Sequence, residues 1–514
     1  MSHATRSISS DYLQGIPSLR PFYQYPIATP DFGAVMADKG RETIDRQLLA
    51  QVIASQYEGL DPGPAVLRNI ARLAQPDSYT VTTGHQLVLF GGPMFTVYKV
   101  LHTLVLAAAL EARHPGATIV PVFWIHTEDH DHEEINHYYS SYAQRHTYDG
   151  RFGTQVGSHV LDASIGALIP AHFPAELRET YRPGRSMAQA FRHFMHLLFG
   201  RYGLLILDAS HPDLKAQFRA VMRRELREGL ARDAVGQTSA SMAEAGYPLQ
   251  IQPRPINLFY LDEVGRNRIE RQADHYQVVD RGLRFSPEEM EQLLTEQPAR
   301  FSPNVSLRPL YQERILPNLA YLGGWGELAY WFQLRSLFDH TGVNFPMLLP
   351  RFSATLFEPA QGSRWAALGF APADIRRPLH ELHQLYLPQV WDDSDLLARQ
   401  ARILEEIAHL TTYIDTQLSP TLARSADALH TKARRYLDNL HAKARRVIRH
   451  HHAAPFREIE ALKLAIQPDG LVQERVLGLA AFADHNPYEL VDFIRQQIDP
   501  LDYSHKFIAL PAQD

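Results

Sequence analysis

The chain reads as an α/β protein with a parallel-sheet core, inserted connecting segments and a helical antiparallel coiled coil. Three observations lead there. Short apolar runs alternate with helical stretches as far as Leu349, the pattern of βαβ units. Two of those runs end in dense polar clusters, and open α/β sheets bind ligands beyond the carboxyl ends of their strands. In the last third the pattern becomes a heptad-like seam. With 514 residues, the chain is too long for a single core.

The elements follow in order. Arg41 to Ile70 carries helical patterning, interrupted at Asp61-Pro-Gly-Pro64. Ser78 to Thr83 reads as a strand. Pro93 suits the first turn of a helix, where its missing N–H would lack a partner anyway, and that helix runs to about His114. Ala117 to Ile125 is a near-continuous apolar run of the kind buried on both faces. Together these make a βαβ unit, expected to be right-handed. Gly203 to Leu207, Pro255 to Leu261 and Asn344 to Leu349 read as further strands, and a helix starts at Pro212. Gln250 to Phe285 alternates enough for a hairpin excursion or inserted subdomain.

Ile403, Ile407, Leu410 and Ile414, and then Leu429, Ala433, Tyr436 and Leu440, recur at helical spacing. They predict two antiparallel helices with a turn near Leu418, where Ser419-Pro420 looks like an N-cap followed by a first-turn proline. Gly470 marks another break, and no internal repeat is visible. The expected organisation is a core over 1–375 with an inserted subdomain at about 145–300, a coiled-coil hairpin over 376–455, and a helical segment over 456–514 that packs back on the core.

Composition narrows the function classes. A net charge of −6 and a pI near 6.5 give no electrostatic footprint for nucleic acid. Cysteine is absent, which excludes disulfides, thiolate metal sites and a cysteine nucleophile and fits a reducing compartment. The opening MSHATRSISSDYLQG lacks the basic and apolar regions of a secretory signal. The most apolar helix, around Val97 to Leu110, contains Lys99 and His102 and reads as too short for a bilayer. A cytoplasmic protein without a membrane partner is expected.

The chemistry concentrates in a few segments. In Thr82-Thr-Gly-His-Gln86, Gly84 lets backbone approach a ligand, and His85 and Gln86 offer hydrogen bonds at a strand tip. Gly91 and Gly92 precede Pro93 at a helix start whose amides are suited to an anion, with Lys99 two turns on. The segment matches neither GxGxxG nor the P-loop. Glu128, Asp129, His130, Asp131 and His132 stand in five consecutive positions. Carboxylates beside imidazoles suit acid–base work and equally suit a metal, although HExxH is not matched. A bland reading is an acidic helix N-terminus. Asn304 and Arg308 are placed to fix a carboxylate. Gly323-Gly-Trp-Gly-Glu327 resembles a second backbone cradle, in which Glu327 is also a plausible first-turn helix acid. Tyr330, Trp331 and Phe332 read as core. Arg351 sits at a strand end. The basic run His441 to His452 reads as a solvated helix face.

Taken together, TTGHQ, GGPMFTVYK, VPVFWIHTEDHDHEEIN, SPNVSLRPLYQERILPNLAYLGGWGELAYW, FPMLLPRFSATL and QPDGLVQERVLG resemble, in order, the signatures of the bacillithiol-biosynthesis cysteine-adding family, BshC. The resemblance implies a Rossmann-like core, a coiled coil and often a homodimer. It implies a ligase that joins L-cysteine to glucosaminyl-malate through an amide bond. On that resemblance Glu128, Asp129, His130 and Asp131 are expected as catalytic groups. Gly84, His85, Gln86, Lys99, Asn304, Arg308, Glu327 and Arg351 are expected at the substrates, and Gly91 and Gly92 at a nucleotide. ATP or ADP use is an expectation by analogy with other acid-activating enzymes, since neither a KMSKS-like loop nor a HIGH-type match is found; no metal is expected. Two departures stand out: His85 replaces the first Gln of a common Thr-Gly-Gln-Gln, and Trp325 replaces a smaller residue. Alternatives from other classes are a metal-dependent hydrolase built on the acidic histidine cluster and a non-catalytic coiled-coil scaffold.

Overall fold

The computed structural model describes residues 6–150, 155–263, 265–279 and 281–512. They form two compact units, one of Met1–Ser353 with Glu474–His505 and one of Ala354–Gln473 with Lys506–Asp514.

The first unit is built on five strands, β1 (Ser78–His85), β2 (Thr118–Ile125), β3 (Leu205–Asp208), β4 (Asn318–Gly323) and β5 (Met347–Pro350). They lie in the order β5-β4-β1-β2-β3, and every neighbouring pair is parallel. This is the Rossmann-like order, in which the chain leaves β1 in one direction and returns on its other side. The switch point lies between β1 and β4, where such sheets open a crevice. The strand at Asn318–Gly323 is not among those foreseen from sequence. Its apolar run, Leu319 to Leu322, is short and hidden between two helical patterns. An antiparallel sheet from the inserted region (Leu258–Leu261, Arg266–Arg271, Tyr276–Val278, Leu283–Phe285) adds a strand at Phe301–Pro303.

The helix Met94–Arg113 connects β1 to β2 and packs against both. It is long and apolar enough, by composition, to cross a membrane. It is instead the core helix of this unit, with Val97, Tyr98, Val100 and Leu101 fully buried. Its burial, not shortness, accounts for its apolarity. Lys99 and His102 are buried within it. The His102 ring is clamped between the Phe352 N–H, which donates to Nδ1 at 3.0 Å, and the Pro500 carbonyl at 2.9 Å from Nε2. Burial lowers its pKa to about 4, so it is a neutral structural histidine.

Polar contacts inside the sheet fix how β4 lies against β1. The Thr82 hydroxyl donates to Asn318 Oδ1 at 2.9 Å, and the Thr83 hydroxyl to the Leu322 carbonyl at 2.8 Å. Asn318 Nδ2 in turn donates to the buried Glu313 Oε1 at 2.8 Å. The fully buried Lys39 ammonium lies 3.8 Å from Glu313 Oε2 and 3.0 Å from Glu42. Burial raises the Glu313 carboxyl to about 7, and Lys39, Gln312 and Asn318 work against that rise. Asn318 joins the Thr82 hydroxyl to the Glu313 carboxyl group.

In the second unit, Ala354–Phe357 pairs in parallel with Lys506–Ala509. Helices Ser394–Tyr413 and Ala423–His451 form the hairpin, joined through a π-helical turn at Ile414–Leu418. Gln400 donates to the Leu437 carbonyl at 3.2 Å, and His441 bonds Asp393 at 2.8 Å, which fixes the helix register.

Asn318→Leu is expected to destabilise the protein by about 3 kcal/mol, since it takes the acceptor from the buried Thr82 hydroxyl and one of the donors from the buried Glu313. A urea midpoint unchanged from the parent would show that this network does not hold β4.

Candidate active site

A cavity of ≈ 540 Å³ lies at the carboxyl ends of the parallel strands, beside the switch point. That volume suits a small-molecule site. Both strand tips singled out in the sequence meet in it: His85 and Gln86 after β1, and His126, Thr127, Glu128 and Asp129 after β2. Parallel pairing brings His85 opposite Ile125, and the His126 N–H donates to the His85 carbonyl at 3.2 Å. Gln86 Nε2 ties the tips together through Glu134 Oε2 at 2.6 Å and Asp129 Oδ2 at 3.4 Å.

Across the switch point, the helix after β1 meets the helix after β4. The Lys99 ammonium, fully buried, donates to the Gly84 carbonyl at 3.0 Å and pairs with Glu327 Oε2 at 2.6 Å. Glu327 also accepts the Gly324 N–H at 2.8 Å and the Tyr321 hydroxyl at 3.0 Å. Burial alone would raise the Glu327 carboxyl, but Lys99 outweighs it and holds the group at about 2. The glycine cradle expected at Gly324 is therefore filled by the chain's own carboxylate, which caps the helix Trp325–Phe332.

Two imidazoles face this charged wall. Burial, and then the Lys99 ammonium, lower His85 to about 3. Burial, and then the Arg308 guanidinium, press His126 well below its ordinary value. Both rings are neutral at physiological pH, and the Nε2 atom of each is buried without a hydrogen-bond partner. Gly84 makes room for the second ring, since a Cβ there would sit 3.2 Å from His126 Nε2 and 3.1 Å from the Trp124 carbonyl.

The remaining expected residues divide. Glu128 lines the cavity, pairs with the buried Lys215 at 2.7 Å and accepts the Ser302 hydroxyl at 2.7 Å. Asp129 lines it too, 3.8 Å from Arg266. Arg308 lines it, donating to the Tyr330 hydroxyl at 2.9 Å and Gln312 at 3.2 Å. Among the described residues it has no carboxylate partner. Arg351 is on the wall but committed to Glu474 at 2.6 Å. Asn304 is also on the wall, yet both ends of its amide are used: Nδ2 donates to Asn257 and Oδ1 accepts the Ser306 N–H, each at 2.9 Å.

Five expected residues do not line the cavity, and Gly84 is one, its carbonyl taking the Lys99 ammonium instead. His130 and Asp131 are exposed and do not line the cavity. No helix begins there. The acidic run folds as a turn in which Asp129 accepts the His130 N–H at 2.8 Å and Asp131 the Glu134 N–H at 3.3 Å. Gly91 and Gly92 also lie off the cavity. Gly92 adopts φ +63°, where a Cβ would come within 2.5 Å of Val88, so its role is to shape the turn. The Met94 N–H at the helix start is spent on the Leu477 carbonyl at 2.8 Å, which closes the expected anion site. Tyr330, expected in the core, lines the cavity.

Sequence reasoning missed Asp208, Arg266 and Arg475 on the wall and Lys215 behind it. Asp208 had a signal, since it ends an apolar strand. Arg266 and Lys215 had none, because one is in the antiparallel insert and the other in an ordinary helix. Among the described residues, no three His, Asp or Glu side chains converge as metal ligands, so the hydrolase alternative finds no metal-holding geometry in them.

Comparison with known proteins adds a family to this geometry. Residues 1–352 match the N-terminal Rossmann-like domain of bacillithiol-biosynthesis BshC, and residues 354–510 match the C-terminal coiled-coil domain of the same family. A relative from Cytophaga hutchinsonii, named "Putative cysteine ligase BshC", is 32% identical over 96% of this chain and 94% of its own length. Relatives of the same name from Flavobacterium johnsoniae (31% identity, 97% and 96% coverage) and Chlorobaculum tepidum (31%, 84% and 83%) are similar.

The neutral, buried His85 has a pH signature. Unfolded, its ring titrates near 6.5, whereas in the fold it stays neutral down to about 3. Between those values the unfolded chain binds the extra proton, so stability falls as pH drops through the window and is indifferent to it above. His85→Gln should reduce the slope of unfolding free energy against pH, between pH 6 and 4, by about 1.4 kcal/mol per pH unit. Parallel slopes in urea titrations would mean that the ring is not buried neutral.

Proposed function

The chain belongs to the BshC family of bacillithiol biosynthesis, and from that premise we propose that it is a cysteine ligase that couples L-cysteine to the amine of glucosaminyl-malate. The observation that carries the reading is Arg308, a guanidinium on the cavity wall that, among the described residues, bonds the neutral Tyr330 and Gln312 and no carboxylate. The malate carboxylates are the anions such a group lacks, and guanidinium holds carboxylate in a two-pronged contact. Three other cations on the wall lie near carboxylates of the chain, Lys99 at Glu327, Arg351 at Glu474 and Arg266 at Asp129.

The bond formed joins the cysteine carboxyl carbon to the sugar nitrogen, and one carboxylate oxygen must leave. From a free carboxylate in water that step is uphill, so a nucleoside triphosphate is the co-substrate we expect; it would supply a phosphorylated or adenylylated leaving group. The residues present fit its phosphates through side chains rather than a backbone nest, because Glu327 and Leu477 occupy the amides of Gly324 and Met94. The exposed Arg475 is the group for that role. The sugar amine must be uncharged to attack. His85 and His126 present neutral rings beside Lys99, so the wall accepts a hydrogen bond from the neutral amine and disfavours its ammonium form. Glu128 and Asp129 are the carboxylates placed to receive the released proton. Localisation in the cytoplasm and assembly as a homodimer belong to the same proposal.

Purified protein supplied with ATP, L-cysteine and glucosaminyl-malate should yield bacillithiol with AMP or ADP in equal amount. Product without nucleotide consumption would remove ATP from the scheme, and no product would remove the ligase. Arg308→Met should raise KM for the malate-bearing sugar about 10- to 100-fold, the worth of a charge-assisted contact, with KM for cysteine little changed. A cysteine KM that rises alone would reassign the guanidinium.

A further inference from the structure

Asp208 is the one inward-facing carboxylate of the cavity that, among the described residues, has no cation at ion-pair distance. Glu128 is paired with Lys215, Asp129 lies near Arg266, and Glu327 is paired with Lys99. Glu134, bonded to Gln86, is exposed at the rim.

Asp208 is also held rigidly. Its Oδ1 accepts the Thr127 hydroxyl at 2.7 Å and the Ser210 N–H at 3.0 Å. Its backbone is clamped by Gln56, whose Oε1 accepts the Asp208 N–H at 2.9 Å and whose Nε2 donates to the Asp208 carbonyl at 2.6 Å. Arg192 donates to Gln56 Oε1 at 3.1 Å and to the Ile206 carbonyl at 2.6 Å; it and Lys215 act on the Asp208 carboxylate only from beyond ion-pair distance. Both hydrogen bonds to the carboxylate fall on Oδ1. A fixed carboxylate whose second oxygen, among the described residues, takes no hydrogen bond and has no cation at ion-pair distance is complementary to an ammonium ion.

We propose that Asp208 is the subsite for a primary ammonium group, and that the group is the α-ammonium of the amino-acid substrate. The assignment rests on the ligase reading for the identity of that amino acid. Two amines enter such a reaction. The sugar amine is the nucleophile and must lose its proton, whereas a carboxylate partner stabilises the charged form and so opposes attack. The α-amine of cysteine is a bystander and is free to remain an ammonium ion throughout. A carboxylate at the end of β3 would then turn the amino acid so that its carboxyl group faces the cationic wall.

The test compares L-cysteine with 3-mercaptopropionate, the same thiol acid without the amine, by calorimetric titration of the full chain and of Asp208→Asn, with glucosaminyl-malate present. Steady-state KM values for both substrates accompany it. The parent should bind L-cysteine about tenfold or more tightly than the amine-free acid. The variant should lose that preference, with its affinity for 3-mercaptopropionate and its KM for the sugar unchanged. Equal affinity of the parent for the two thiols overturns the proposal, and does so even if the variant fails to fold. A variant that weakens both thiols alike, or one that raises only the sugar KM, also overturns it; the latter result would place the sugar amine at Asp208. An Asp208-dependent preference in a protein that forms no amide would keep this subsite and remove the ligase reading. Amide formation with a cysteine KM indifferent to Asp208 would do the reverse.

Discussion

The pair between the buried Lys99 and the half-buried Glu327 is the contact on which the site's form depends. One partner belongs to the helix that follows β1 and the other to the helix that follows β4, so the pair stands across the point where the sheet reverses direction. Removing an ammonium from water is costly, and a single carboxylate at 2.6 Å repays it only because further bonds satisfy both ends, from Lys99 to the Gly84 carbonyl and to Glu327 from Gly324 and Tyr321. The pair fixes the distance between the two strand tips. It also sets the electrical character of the crevice, because the positive Lys99 helps to keep His85 neutral.

That arrangement divides the cavity by charge. On the β1, β4 and β5 side stand Lys99, Arg308 and Arg351, with Arg475 at the rim. On the β2 and β3 side stand Glu128, Asp129 and Asp208. Most of these charges are paired within the protein; among the described residues Arg308, the rim Arg475 and Asp208 have no ion-pair partner, and they include both signs. A cavity with residual charge at both poles selects for ligands that carry both, as a dicarboxylate sugar and a zwitterionic amino acid do.

Much of this was legible in the sequence. The apolar runs ending at His85 and Ile125 announce strands, and the polar residues directly beyond them announce a site, because the side chains just past a strand tip have nowhere to go but the crevice. The same rule reaches Asp208. The helical hairpin is legible from the spacing of Ile403, Ile407 and Leu410, since a heptad seam has few alternatives. Other features are invisible locally. The strand Asn318–Gly323 reads as a mere connector until its neighbours β1 and β5 are in place. His130 and Asp131 share the composition of Glu128 and Asp129, and only the turn that carries the chain outward after Asp129 separates them. Gly91 and Gly92 look like an anion cradle because the residue that closes it, Leu477, is remote in the chain. Arg266 and Lys215 gain meaning only from carboxylates on other segments.

The first unit is also discontinuous. Its last part, Glu474–His505, returns after Ala354–Gln473 of the second unit has been made. From that stretch come the Glu474 carboxylate that holds Arg351, the guanidinium of Arg475, the Leu477 carbonyl that closes the helix start at Met94, and the Pro500 carbonyl on His102. A nascent chain that has left the ribosome as far as Ser353 therefore has all five strands of the sheet but an unfinished crevice, with Arg351 and the start of its principal helix unattended. Chaperones that shield half-made chains would meet this protein in that state for as long as translation takes to deliver the remaining segments.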